Sequence, residues 1–69
     1  VKAVSGKDFA KVLERRGWSL LRINGSHHIY GKPGEIARIS VPIHGNTNLK
    51  AGLLRNIMKL AGLTENDFE

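Results

Sequence analysis

Apolar and polar positions along this chain change period several times, and each change marks an element. Ser5-Gly6-Lys7-Asp8 sets a hydroxyl ahead of a helix with an acid three residues on, each able to satisfy a free backbone N–H. Phe9, Val12, Leu13 and the stem of Arg16 then recur on one face at helical spacing, and Gly17 supplies the stop. The opposite face carries Lys7, Lys11 and Arg15 in an i, i+4, i+8 row, which reads either as a plain solvated face or as a basic ridge. From Trp18 to Ile23 the residues are aromatic, leucine and isoleucine, a strand that runs into the hairpin signal Asn24-Gly25. A second strand from Ser26 to about Tyr30 returns antiparallel, and Lys32-Pro33-Gly34-Glu35 forms the next turn. Ile36 to Ile43 predicts a third strand, with Ile39, Val41 and Ile43 alternating with Arg38, Ser40 and Pro42. Pro42 has no N–H for a ladder, which puts this end at an edge.

After the Gly45–Asn48 loop, Leu49, Leu53, Leu54, Ile57, Leu60 and Ala61 share one broad face of a second amphipathic helix, with Asn48 as cap and Gly62 as stop. Thr64-Glu65-Asn66-Asp67 repeats the cap pattern and predicts a terminal turn that tucks Phe68 against the body. The fold class is therefore α+β: helix, three-stranded antiparallel sheet, helix. Both helices cover one face of the sheet and leave the other open.

Sixty-nine residues allow one hydrophobic core, so positions 1–69 are read as a single domain. The chain has no cysteine, which removes disulfides, thiolate metal sites and a cysteine nucleophile together. Its unbroken apolar runs are too short for a bilayer span or a signal-peptide core, and the expectation is a soluble, cytoplasmic protein with no membrane partner. The formal charge of +5 understates the basicity of the body, because Glu65, Asp67 and Glu69 sit at the far C-terminal end. Residues 1 to 62 hold eleven Lys and Arg against Asp8, Glu14 and Glu35, a charge of +8. A polyanionic partner is the first inference.

The chemistry narrows next. There is no HExxH pattern and no GxxxxGK[ST] loop, and Ser26 lacks the context of a serine nucleophile, so neither a metal nor a cofactor is expected. Histidines 27, 28 and 44 remain, set among Lys and Arg. Imidazole moves protons near neutral pH, and RNA carries its own nucleophile in the 2′-hydroxyl, so proton transfer with phosphate-holding cations is a sufficient set. With the turn at Asn24-Gly25, Arg22 pairs with His27 and Leu20 with Ile29. Alternation then puts His28 on the open face with Ser26 and Tyr30, unless a bulge reverses the assignment. Tyr30 on an open face could stack bases, whereas Trp18 belongs to the core.

Gly25-Ser26-His27-His28-Ile29-Tyr30, preceded by Gly17-Trp18 and followed by Val41-Pro42-Ile43-His44, resembles the HicA toxins, small bacterial mRNA interferases. The likeness continues through Lys50–Ile57 and Ala61-Gly62-Leu63-Thr64, nearly the whole chain. The resemblance implies a fold similar to a double-stranded RNA-binding domain, metal-independent cleavage of mRNA, and neutralisation by a HicB-type antitoxin. It puts the catalytic histidine directly after the glycine-serine pair, at His27, against the alternation argument for His28. We favour His27 and keep His28 as the other candidate. Lys7, Lys11, Arg15, Arg22, Ser26 and Tyr30 are the candidate RNA-contacting residues. Two other readings stand beside this one: a non-catalytic RNA-binding module, and an interaction domain that docks an acidic protein.

Overall fold

A computed structural model describes residues 3–68 of the chain. Helix α1 spans Gly6–Arg15, strands β1, β2 and β3 span Ser19–Asn24, His27–Gly31 and Ile39–Pro42, and helix α2 spans Ala51–Ala61. A short 3₁₀ turn, Glu65–Phe68, follows. The three strands form one antiparallel sheet in the order β1-β2-β3. This is the α-β-β-β-α arrangement expected from the residue pattern.

Ser5 caps α1 as its position suggests: its hydroxyl accepts the Asp8 N–H at 3.1 Å, satisfying a donor that the helix itself cannot. Phe9, Val12 and Leu13 leave this helix on its inner side and meet Ile39, Val41 and Tyr30 from the sheet and Leu54, Ile57 and Met58 from α2. Phe9, Leu13, Ile39 and Val41 are the largest fully buried side chains, each contributing roughly 1.5–3 kcal/mol by leaving water. Trp18 is only 3% exposed and completes this core, as expected. Arg16 departs from the expected face. Its side chain is exposed and pairs with Asp67 at 3.6 Å, while Phe68 stacks obliquely on Phe9 with ring centroids 5.6 Å apart. The terminal turn is thus tucked onto α1 as the sequence predicts, and the Thr64 N–H closes it on Asp67 Oδ2 at 2.8 Å.

The first two strands lie one residue later than expected, and the larger differences are in β3 and α2. The third strand begins at Ile39 rather than Ile36, because the Arg38 guanidinium donates to the carbonyls of Glu35, Ile36 and Ala37 at 3.1–3.3 Å and holds that segment in a loop. Helix α2 begins at Ala51 with Lys50 at its cap position, where no side chain bonds to the helix, and Asn48 is not the cap. Asn48 instead forms a bridge with Ser5, and the Leu49 N–H donates to the Val4 carbonyl at 2.8 Å. Pairing with the segment before α1 keeps residues 48–50 out of the helix and moves its cap two residues along, from Asn48 to Lys50.

At the start of α1 the helix lies directly on the sheet. A Cβ on Gly6 would run into the Pro42 carbonyl oxygen and would stand 3.0–3.2 Å from Ile43 atoms, so only glycine admits this approach.

Candidate functional site

The hairpin between β1 and β2 determines which side chains meet. Asn24 pairs with His27, so the two loop residues are Gly25 and Ser26, one step later than the Asn24-Gly25 loop expected. Gly25 has φ +64 and Ser26 does not enter the positive region, the requirement of a two-residue turn with glycine at its first central position. Further along, Leu21 is an extra residue in β1 that shifts the register between Leu20 and Arg22.

This register overturns the alternation argument. Tyr30 pairs with Ile39 and His28 with Val41, and all of these lie on the face that the helices cover. His28 is therefore half-buried on the core side, between Ile23 and Val41, rather than on the open face. Tyr30, at 3% exposure, is a core residue whose ring is not available to stack a base, and its phenol is pushed above the usual value, first by burial and then by Glu14. The face that stays open holds His27, paired with Pro42, together with Arg22, Asn24, Ile29 and Ser40.

On that open face His27 is exposed, and its Nδ1 is 3.4 Å from the Ser40 hydroxyl of the neighbouring strand. This leaves Nε2 for a substrate. Arg22 lies one diagonal step away on β1, within the reach of a long side chain. Ser26, at the tip, is held from two sides: its carbonyl accepts the Ile43 N–H at 2.8 Å, and its hydroxyl lies 3.2 Å from His44 Nε2. Sequence reasoning counted His44 among the three histidines and within a motif but gave it no role, and it did not single out Ser40. The signal for Ser40 was its even spacing with Pro42 along the third strand, which puts both on the side of His27 once the register is known, and His44 follows two residues beyond that strand.

The basic ridge is not part of this cluster. Lys7, Lys11 and Arg15 are exposed on the outer side of α1, in the helical layer, whereas His27 projects from the opposite side of the sheet. Lys11 and Arg15 border a cleft that they share with Asp8 and Asp67, so acids interrupt the positive field there.

Among the described residues no three His, Asp or Glu side chains come together in a group that could hold a metal ion. No helix among them is long and apolar enough to cross a membrane. A model of one protein family, described as the HicA toxin of bacterial toxin–antitoxin systems, matches residues 6–63, which takes in both helices, the whole sheet and the histidine cluster. No curated protein matches the chain.

Proposed function

Because the chain belongs to the HicA toxin family, the toxins of bacterial toxin–antitoxin systems, we propose that it is an endoribonuclease that cleaves mRNA with His27 as its proton-transfer residue. The observation that carries this reading is the setting of His27: exposed, on the sheet face without helices, and steadied through Nδ1 by Ser40. When His27 Nδ1–H donates to the Ser40 hydroxyl, Nε2 is the unprotonated ring nitrogen and is left free, which is what a general base requires. His28 offers less. Its ring is half-buried between Ile23 and Val41, on the side that the core occupies.

The reaction needs little else. His27 Nε2 removes the proton of a ribose 2′-hydroxyl, the oxygen attacks the adjacent phosphorus, and the Arg22 guanidinium offers paired donors to the phosphate oxygens as negative charge builds. No metal is required for this chemistry, since the nucleophile belongs to the substrate and is already in place. A HicB-type antitoxin is the partner that neutralises the activity, and covering the open sheet face would be sufficient to do so.

The test is a gel of a defined RNA incubated in EDTA with purified wild type, His27→Ala and His28→Ala. Wild type cleaves, His27→Ala is slower by about 10²–10⁴-fold, and His28→Ala retains cleavage to the extent that it stays folded. Loss of wild-type cleavage in EDTA would sink the metal-free scheme, and an active His27→Ala alongside a folded, inactive His28→Ala would transfer the role to His28. Intact RNA in every lane, with binding that weakens as salt rises, would make the chain a non-catalytic RNA-binding module.

A further inference from the structure

Transesterification of RNA needs two proton transfers. One removes the proton of the 2′-hydroxyl, and the other delivers a proton to the departing 5′-oxygen, which is otherwise a poor leaving group. His27 accounts for the first. We infer that His44 supplies the second, as a general acid anchored by the Ser26 hydroxyl; the inference rests on the ribonuclease reading above.

Three observations lead to His44. Its place is set by the chain around it: His44 is exposed and lies two residues beyond Pro42, the cross-strand partner of His27, which brings it to the same end of the sheet as His27. Its backbone is fixed on both flanks. The Ile43 N–H is bonded to the Ser26 carbonyl at 2.8 Å, and the His44 carbonyl accepts the Thr47 N–H at 3.0 Å in a tight turn. Its ring is fixed as well, with Nε2 3.2 Å from Ser26 Oγ. Ser26 immediately precedes His27, so the hairpin tip carries one imidazole on its own strand and holds the other by a hydroxyl.

Elimination points the same way. On the open face, Arg22 and Arg38 are guanidinium groups, which do not surrender a proton in water, and Arg38 is already bonded to three carbonyls. Asn24 and Ser40 do not titrate in the neutral range. His28 and Tyr30 belong to the other side of the sheet. Among the described residues His27 and His44 are the exposed histidines, and imidazole is the side chain that both gives and takes a proton most readily in water.

The step balances as follows. His27 Nε2 takes the 2′-hydroxyl proton as the 2′-oxygen to phosphorus bond forms. The phosphorus to 5′-oxygen bond breaks as His44, with Nε2–H donating to Ser26 Oγ, passes its Nδ1 proton to the 5′-oxygen. The products are a 2′,3′-cyclic phosphate and a 5′-hydroxyl, and proton exchange with water resets both rings.

A general acid can be told from a structural residue by the leaving group. Wild type, His44→Ala, His44→Gln and His27→Ala are compared on an ordinary dinucleotide and on one whose bridging 5′-oxygen is replaced by sulfur, which departs as a thiolate without protonation. His44→Gln keeps an amide for Ser26 but cannot transfer a proton. Both His44 variants lose about 10²–10⁴-fold on the oxygen substrate and less than about tenfold on the sulfur substrate, whereas His27→Ala is slow on both. Equal losses on both substrates, or no loss on either, would overturn the role of His44 while leaving the ribonuclease reading intact. If wild type cleaves neither substrate, that reading falls and the role of His44 falls with it.

Discussion

The contact between α1 and the end of β3 makes the same substitution opposite in sign at two glycines. In Gly6→Ala the new methyl group meets the Pro42 carbonyl oxygen, with Ile43 Cγ1 at 3.0 Å and Ile43 Cα at 3.2 Å close behind. Two of these three atoms are backbone, so the clash cannot be relieved by a rotamer change. The helix must move away from the strand. Overpacking of this kind costs about 1–3 kcal/mol. Alanine returns about 0.4–1 kcal/mol through the smaller entropy of the unfolded chain, which leaves a net loss of about 1–2 kcal/mol. At roughly 4–8 °C per kcal/mol for a domain of this size, Tm falls by about 5–15 °C. Gly52→Ala is the control. It lies in the first turn of α2 with no atom within 4 Å of its added Cβ, so the unfolded-state gain stands alone and Tm rises by about 2–8 °C. Thermal melts followed by far-UV circular dichroism measure both. A Gly6→Ala protein as stable as wild type, or a Gly52→Ala protein less stable, would refute the reasoning.

Removing the Ser5 hydroxyl as Ser5→Ala leaves the Asp8 N–H without its partner and lowers stability by about 0.5–2 kcal/mol, read from urea denaturation. Tyr30 favours its neutral form in the folded state, chiefly through burial and secondarily through Glu14, so its folded pKa lies above the unfolded value near 10.0. Its contribution is complete below that pH and is lost as pH rises through the folded value. Urea denaturation across the alkaline range should therefore show wild type losing more stability than Tyr30→Phe, and parallel curves would contradict this. Arg22→Ala weakens RNA binding and lowers the slope of log affinity against log salt by about 1, whereas an unchanged slope would mean that Arg22 holds no phosphate.

Local signals along the chain were legible where one residue decides the outcome. The Ser5 cap, the stop at Gly62 with φ +71, and the hairpin around Gly25 each depend on a single side chain or its absence. The faces of the sheet were not. Asn24-Gly25 and Gly25-Ser26 both supply the glycine that a two-residue loop needs, and choosing one or the other shifts the strand pairing. In β2 the two rows are His27 with Ile29 and His28 with Tyr30, one apolar residue in each, so alternation within that strand does not say which row is buried. The decision comes from β3, whose Ile39 and Val41 lie opposite Tyr30 and His28. The late start of α2 was equally hidden, since it depends on Asn48 and Leu49 pairing with Ser5 and Val4, far away in sequence. The site followed the same logic. His27 stood out beside a turn, but Ser40 comes from a strand that only the register brings alongside, and His44 from the segment that follows that strand.

Strand β1 has one hydrogen-bonded neighbour, all six of its residues are exposed, and the helices make their main sheet contacts with β3. Its amides are therefore protected from solvent hydrogen exchange by the ladder with β2 alone, and they open at a lower free energy than those of β2 and β3. His27, Ser40 and the Ser26–Ile43 bond all sit on the β2–β3 side of that division. The outer strand can fray while the histidine-bearing pair stays closed, so Arg22, which rides on the outer strand with Asn24, moves with β1 and not with His27.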